Sequence, residues 1–83
     1  MATENASTIS ICSRIGMKIR FLREQRKWSQ RMLADHAGIE QAHLARIEKG
    51  QVEPGVILLE KIAIALEVEI AELFRPELLR DCD

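Results

Sequence analysis

Residues 28–50 read WSQRMLADHAGIEQAHLARIEKG, and the punctuation of this stretch decides the fold. Ser29 is a hydroxyl N-cap directly ahead of Gln30, and Trp28 before it is placed to staple against Leu33 inside the helix that follows. Gly38 comes after Ala37 where a helix end needs a left-handed residue, and Ile39 supplies an apolar plug beyond it. A helix of about eight residues is therefore expected from Gln30. A second runs from Glu40 to Lys49, with Leu44 and Ile47 three apart on its apolar side and Gly50 as its C-cap. Small Ala34 sits where two such rods cross closely.

Ahead of this stretch, Ile11, Ile15, Ile19 and Leu22 recur at helical steps on a face opposite Arg14, Lys18 and Glu24, which predicts a first helix over about residues 11–26. Behind it, Glu53 and Pro54 are expected to open a fourth helix, since proline is welcome in a first turn. Val56, Leu59, Ile62, Ala63 and Leu66 give that helix a broad apolar face as far as Leu66. Ile70, Ala71, Leu73 and Phe74 form a last short helix closed by Pro76. The chain thus divides into a flexible tail over residues 1–9, one domain over 10–75, and a tail over 76–83 with room for a short helix. Counted from Gln30, Ala34 is fifth, Gly38 ninth, Leu44 fifteenth and Ile47 eighteenth. Small, left-handed and apolar residues therefore fall where a helix-turn-helix needs them.

Eighty-three residues make a single small domain with no space for a separate cofactor-binding half. With 4% aromatic residues, four glycines and two prolines, the chain lacks the turn chemistry of an all-β fold, so an all-α class is expected. The net charge of −1 hides a segregation. From Arg14 to Lys49 nine basic residues face four acidic ones, a surplus of five positive charges. From Glu53 onward eight acidic residues face three basic ones. The first half attracts polyanions and the second repels them.

Cys12 and Cys82 lie near opposite ends with no CxxC and no histidine at ligand spacing, so reduced thiols and no metal site are expected. His36, His43 and scattered carboxylates offer no nucleophile–base pairing and no phosphate loop, so no catalytic residue, cofactor or small-molecule ligand is expected. The N-terminus carries an acid instead of a basic cluster, and no apolar run approaches a membrane span, which points to the cytoplasm and the nucleoid.

Taken in order, IRFLRE, WSQRMLADHAGIEQAHLARIEKG, EPGVILLEKIAIALEV and IAELF resemble the five-helix domain of the phage repressor and Cro-like (Xre) family over about residues 14–74. Its stand-alone members of this size include phage Cro proteins, antitoxins and restriction-modification controllers. The resemblance implies a compact repressor-like domain that binds double-stranded DNA, its third helix in the major groove and its second across the backbone.

Carried over residue by residue, Gln41 and Ala42 match base-reading positions, where a Gln amide suits the edge of adenine and an Ala methyl meets thymine. Arg46 matches another, its guanidinium fork suiting either guanine or a phosphate. His43 reaches bases, the sugar-phosphate backbone, or only the domain surface. Glu40 either accepts from cytosine or caps the third helix. Gln30 matches a phosphate-binding position, the alternative being a solvated capping residue. Arg31, Lys49 and Gln51 are assigned to phosphates as flanking groups. Arg23 and Glu48 match positions that pair across helices one and three, so a structural ion pair is expected.

The sequence departs from the family at Lys27 and Glu67, where glycine commonly ends helices one and four, and at Gly55, where a capping serine or threonine is common. Ile57 and Ile64, seven apart at positions usually polar in the family, leave an apolar strip after the core is filled. With Leu78 and Leu79 they suggest a homodimer interface built by the acidic half, the alternative being tail packing within one subunit. The main functional expectation is a transcription regulator on a pseudo-palindromic operator. The competing one is an antitoxin or protein-interaction module that uses the apolar strip.

Overall fold

The computed structural model describes residues 2–75, the first nine of them as backbone. Four α-helices and a closing 3₁₀ turn follow one another, α1 (Ala2–Gln25), α2 (Gln30–Ala37), α3 (Gln41–Glu48), α4 (Val56–Leu66) and the 3₁₀ turn Ile70–Phe74, with no strand among the described residues. The all-α repressor-like class is as expected. The fifth helix is a 3₁₀ turn, held by Glu72 N–H to Glu69 O at 2.9 Å and Arg75 N–H to Glu72 O at 3.2 Å. Five residues leave little room for α-type bonding, and 3₁₀ geometry is how such short pieces close.

Two boundaries differ from the sequence expectation. Helix α1 begins at Ala2, nine residues ahead of its apolar stripe. The stripe marks only the part that meets the core, and the small and polar residues before Ile11 contain neither glycine nor proline to stop the helix. Helix α4 begins at Val56 with Gly55 as its N-cap, so Glu53 and Pro54 belong to the preceding linker. Proline disfavours helical backbone at the residue before it, which keeps Glu53 out of the helix. The segment 76–83, with Leu78, Leu79 and Cys82, lies outside the described residues.

The core draws on every element. Ile15 and Ile19 from α1, Leu33, Ala34 and Ala37 from α2, Leu44 and Ile47 from α3, Leu59, Ile62, Ala63 and Leu66 from α4, and Leu73 from the 3₁₀ turn are all buried. Helix α2 packs between α3 and α4, while α1 backs onto α3, α4 and the 3₁₀ turn. Lys18, expected on the polar face of α1, is buried at 3% exposure, with Nζ 3.0 Å from Glu72 Oε2. That ion pair fastens the 3₁₀ turn to α1. The sequence conceals it because the partner is fifty-four positions away.

Helix α1 comes very close to α3 at Gly16. A Cβ there would lie 2.3 Å from the carbonyl oxygen of Ile47 and 2.6 Å from that of Glu48. Only glycine lets α1 lie directly on the C-terminal end of α3.

Candidate nucleic-acid interface

Local chemistry sets the angle between α2 and α3. The Ser29 hydroxyl accepts from the Met32 N–H at 3.1 Å, fixing the start of α2. Gly38 takes φ 73°, and the N–H of Ile39 donates back to Ala34 O at 3.0 Å, so the chain turns sharply into α3. Glu40 occupies the N-cap position of α3 but makes no capping hydrogen bond with its side chain. The capping role expected for it reduces to a negative charge at the positive end of a helix.

Leu44 and Ile47 fix the roll of α3 because both are fully buried. At 3.6 residues per turn, this leaves an outward arc of about 140° that carries Gln41, Ala42 and Arg46. All three are exposed, Ala45 between them is half-buried, and His43 is half-buried at the arc's edge. Among the described residues nothing covers this flank. Arg31 in α2 and Lys49 and Gln51 just after α3 are exposed as well. Among the described residues Arg31, Arg46 and Lys49 have no ion-pair partner, so their charge faces outward.

Behind the flank, one side chain of α1 holds both ends of the two-helix unit. Arg23 Nε donates to Glu48 Oε2 at 2.8 Å and Nη2 to Glu48 Oε1 at 3.0 Å, while Nη1 donates to the Trp28 carbonyl at 2.8 Å. The pair is buried, and the hydrogen bonds that Arg23 donates to Glu48 raise the Arg23 pKa above its already high ordinary value despite desolvation. Gln30 joins the group, its Nε2 donating to Glu48 Oε1 at 3.0 Å. One N–H of the Gln30 amide is thus directed inward. Its second amide hydrogen and the unbonded backbone N–H groups of the first turn of α2 remain to meet an anion.

Trp28, expected to staple against Leu33, packs on the core and lies flat on His36, centroids 4.3 Å apart and planes 2° from parallel. The Arg26 guanidinium is 5.0 Å from the indole. The sequence offered no signal for this stack, because Trp28 lies outside α2 and His36 reads as an ordinary solvated residue of its last turn.

Ile57 and Ile64 stand on the opposite side of α4 from the core, each 68% exposed, and Val56 beside them is 73% exposed. Among the described residues no helix is long and apolar enough to cross a membrane, and no cluster of three or more acids, histidines and cysteines is arranged to hold a metal.

Comparison with known proteins matches this architecture. The helix-turn-helix family HTH_3 matches residues 19–73. The HTH-type transcriptional regulator y4dL of Sinorhizobium fredii is 43% identical over 56 residues, 68% of this chain and 29% of that protein. SlrR of Bacillus subtilis, another HTH-type transcriptional regulator, is 39% identical over 64 residues, 76% of this chain and 42% of the relative. The chain therefore spans less than half the length of these relatives. Among solved structures, the restriction-modification controller protein C.AhdI from Aeromonas hydrophila superposes with a TM-score of 0.74 at 32% identity, covering 76% of this chain and 96% of that one. With the matched residues running from Ile19 in α1 to Leu73 in the 3₁₀ turn, the chain belongs to the HTH_3 helix-turn-helix family of Xre and Cro-like regulators, a non-enzymatic family.

Proposed function

We propose that this chain is a sequence-specific transcription regulator that inserts α3 into the major groove of double-stranded DNA and binds a pseudo-palindromic operator as a homodimer. The observation that carries this reading is the uncovered flank of α3, with Gln41, Ala42 and Arg46 exposed above a roll fixed by buried Leu44 and Ile47. Gln41 reads adenine, Arg46 reads guanine through its fork, and Ala42 meets a thymine methyl. His43 reaches the edge of the site. Gln30, Arg31, Lys49 and Gln51 hold phosphates and set register without reading sequence. The surplus positive charge between Arg14 and Lys49 supplies attraction to the duplex.

In the dimer, Ile57 and Ile64 meet their counterparts. Helix α4 packs chiefly on α2, α1 and the 3₁₀ turn, so an interface on its outer face leaves α3 free. The two reading heads then address half-sites about 34 Å apart, one turn of the double helix. DNA as the ligand places the protein in the cytoplasm with the nucleoid.

Fluorescence anisotropy of a labelled duplex in a salt titration tests the reading. With about six to eight phosphates engaged by a dimer, the logarithm of the association constant falls against that of salt with slope near −5 to −7. A flat salt response contradicts it.

A further inference from the structure

Glu40 is the acid next to the proposed base readers, and among the described residues no side-chain contact accounts for it. Its backbone is extended, φ −76° and ψ 140°, and its carbonyl accepts from the Leu44 N–H at 3.0 Å, which makes it the N-cap of α3. The residue is exposed, its carboxylate makes no capping hydrogen bond, and among the described residues it has no ion-pair partner. Only Ile39 separates it from left-handed Gly38, so Glu40 stands at the tip of α3, ahead of Gln41 and Ala42. A recognition helix meets base edges with its N-terminal residues. A carboxylate at that tip weakens attraction to phosphates, against what Arg31, Arg46 and Lys49 supply, and a serine would cap the helix better. The unbonded N–H groups of the first turn offset part of this cost, since the positive end of a helix favours an anion.

An ionised carboxylate only accepts hydrogen bonds. In the major groove guanine offers the acceptors N7 and O6, thymine the acceptor O4, and adenine an amino donor with the acceptor N7 beside it. Cytosine alone presents an amino donor, N4, with no acceptor of its own next to it. Resting on the DNA reading proposed above, we infer that Glu40 is a further specificity-determining residue, its carboxylate accepting from the N4 amino group of one cytosine in each half-site. It selects by exclusion more than by attraction. Opposite any acceptor edge the charge is desolvated against a lone pair and gains no hydrogen bond, so wrong sequences are rejected more strongly than the right one is favoured. The negative charge also lowers affinity for DNA of every sequence, which widens the gap between the operator and all other sites.

Glu40→Ser tests the inference, because serine keeps the helix capped and removes the charge. The full chain, Glu40→Ser and Arg46→Ala each select duplexes from a random DNA pool. The wild-type motif is expected to hold a cytosine at one position per half-site, different from the position that Arg46→Ala relaxes, and Glu40→Ser is expected to lose that cytosine alone. By fluorescence anisotropy, thymine in place of this cytosine weakens the wild type about tenfold, within the range of one base contact, and leaves Glu40→Ser nearly unchanged. Glu40→Ser also binds an unrelated duplex more tightly than the wild type, by about twofold or more, since a repulsive charge is gone. Thermal melts by circular dichroism show it folded as stably as the wild type. A role confined to the helix end would move stability and leave base preference alone. The inference is overturned by an unchanged motif in Glu40→Ser, by a base other than cytosine at the position it relaxes, or by equal weakening on all duplexes. A motif altered by Arg46→Ala and untouched by Glu40→Ser overturns this inference and leaves the DNA reading standing, whereas a wild type that enriches no sequence overturns both.

Discussion

Arg23 on α1 and Glu48 at the end of α3 meet in a buried, two-pronged ion pair, with both nitrogen–oxygen distances at or below 3.0 Å. Arg23 also holds the Trp28 carbonyl, so a single guanidinium ties the entry of α2 to the exit of α3. Replacing Arg23 by Met leaves the Glu48 carboxylate desolvated with Gln30 alone as a partner. We expect a loss of about 3 to 5 kcal/mol in urea unfolding, a large share of the roughly 5 to 15 kcal/mol that holds a small domain together. The double variant Arg23→Met with Glu48→Leu is expected to lose less than the single one, because no charge is stranded. Equal or greater loss in the double variant contradicts the assignment.

The pH sign follows from the raised pKa of Arg23. A cation held above its ordinary value contributes in full below that ordinary value, and the contribution fades only as pH rises through the still higher folded one. The stability gap between wild type and Arg23→Met should therefore stay constant from neutral to mildly alkaline pH in thermal melts.

Lys27 and Glu67 hold φ of 61° and 60°, the left-handed region that favours glycine. Each costs on the order of 1 kcal/mol relative to glycine. Lys27→Gly is expected to stabilise the fold by about that amount, a rise in melting temperature of roughly 4 to 8 °C for a domain of this size. Glu67→Gly gains less, since it also gives up the exposed contact with Arg26 at 2.9 Å, a type of pair worth about 0 to 1 kcal/mol. A fall in melting temperature for Lys27→Gly would refute the strain.

Gly16→Ala forces a methyl group onto the carbonyls of Ile47 and Glu48. Backbone cannot yield as a flexible side chain does, so a loss of about 1 to 3 kcal/mol or more is expected. DNA affinity falls as well, since α3 is pushed off its seat. Wild-type stability and affinity in this variant would show that the two helices do not lie so close.

Most of the fold could be read from the sequence because its signals are local. Ser29 and Gly38 mark both ends of α2 in a row of ten residues, and the buried spacing of Leu44 and Ile47 sets the roll of α3. The start of α1 and the linker before α4 are where local signals fail. The residues before Ile11 bury nothing, so no periodicity marks them, and Pro54 suits a first turn and a linker equally. Lys18 with Glu72, Gln30 with Glu48, and Trp28 with His36 were not legible. These pairings depend on how elements are brought together, and no periodicity encodes them. The exposure of Gln41, Ala42 and Arg46 follows directly from the apolar pair beneath them.

The proposed base readers and phosphate binders separate by what their loss changes. Lys49→Ala is expected to weaken binding about equally on all sequences and to reduce the salt slope by about one per contact removed. Gln41→Ala and Arg46→Ala are expected to cost about 1 to 3 kcal/mol on the preferred site and to relax the preference at one position per half-site. Mobility shifts on matched and altered duplexes distinguish the two patterns, and uniform losses for all three variants would reassign Gln41 and Arg46 to the backbone.

Selection of bound duplexes from a random DNA pool, run in parallel with wild type and Arg46→Ala, bears most directly on the proposal that α3 reads DNA. The expected result is an inverted repeat with half-site centres one helical turn apart, in which one base pair per half-site loses its preference in the variant. Recovery of no enriched sequence by the wild type, or of the same motif unchanged by Arg46→Ala and Gln41→Ala alike, would contradict it.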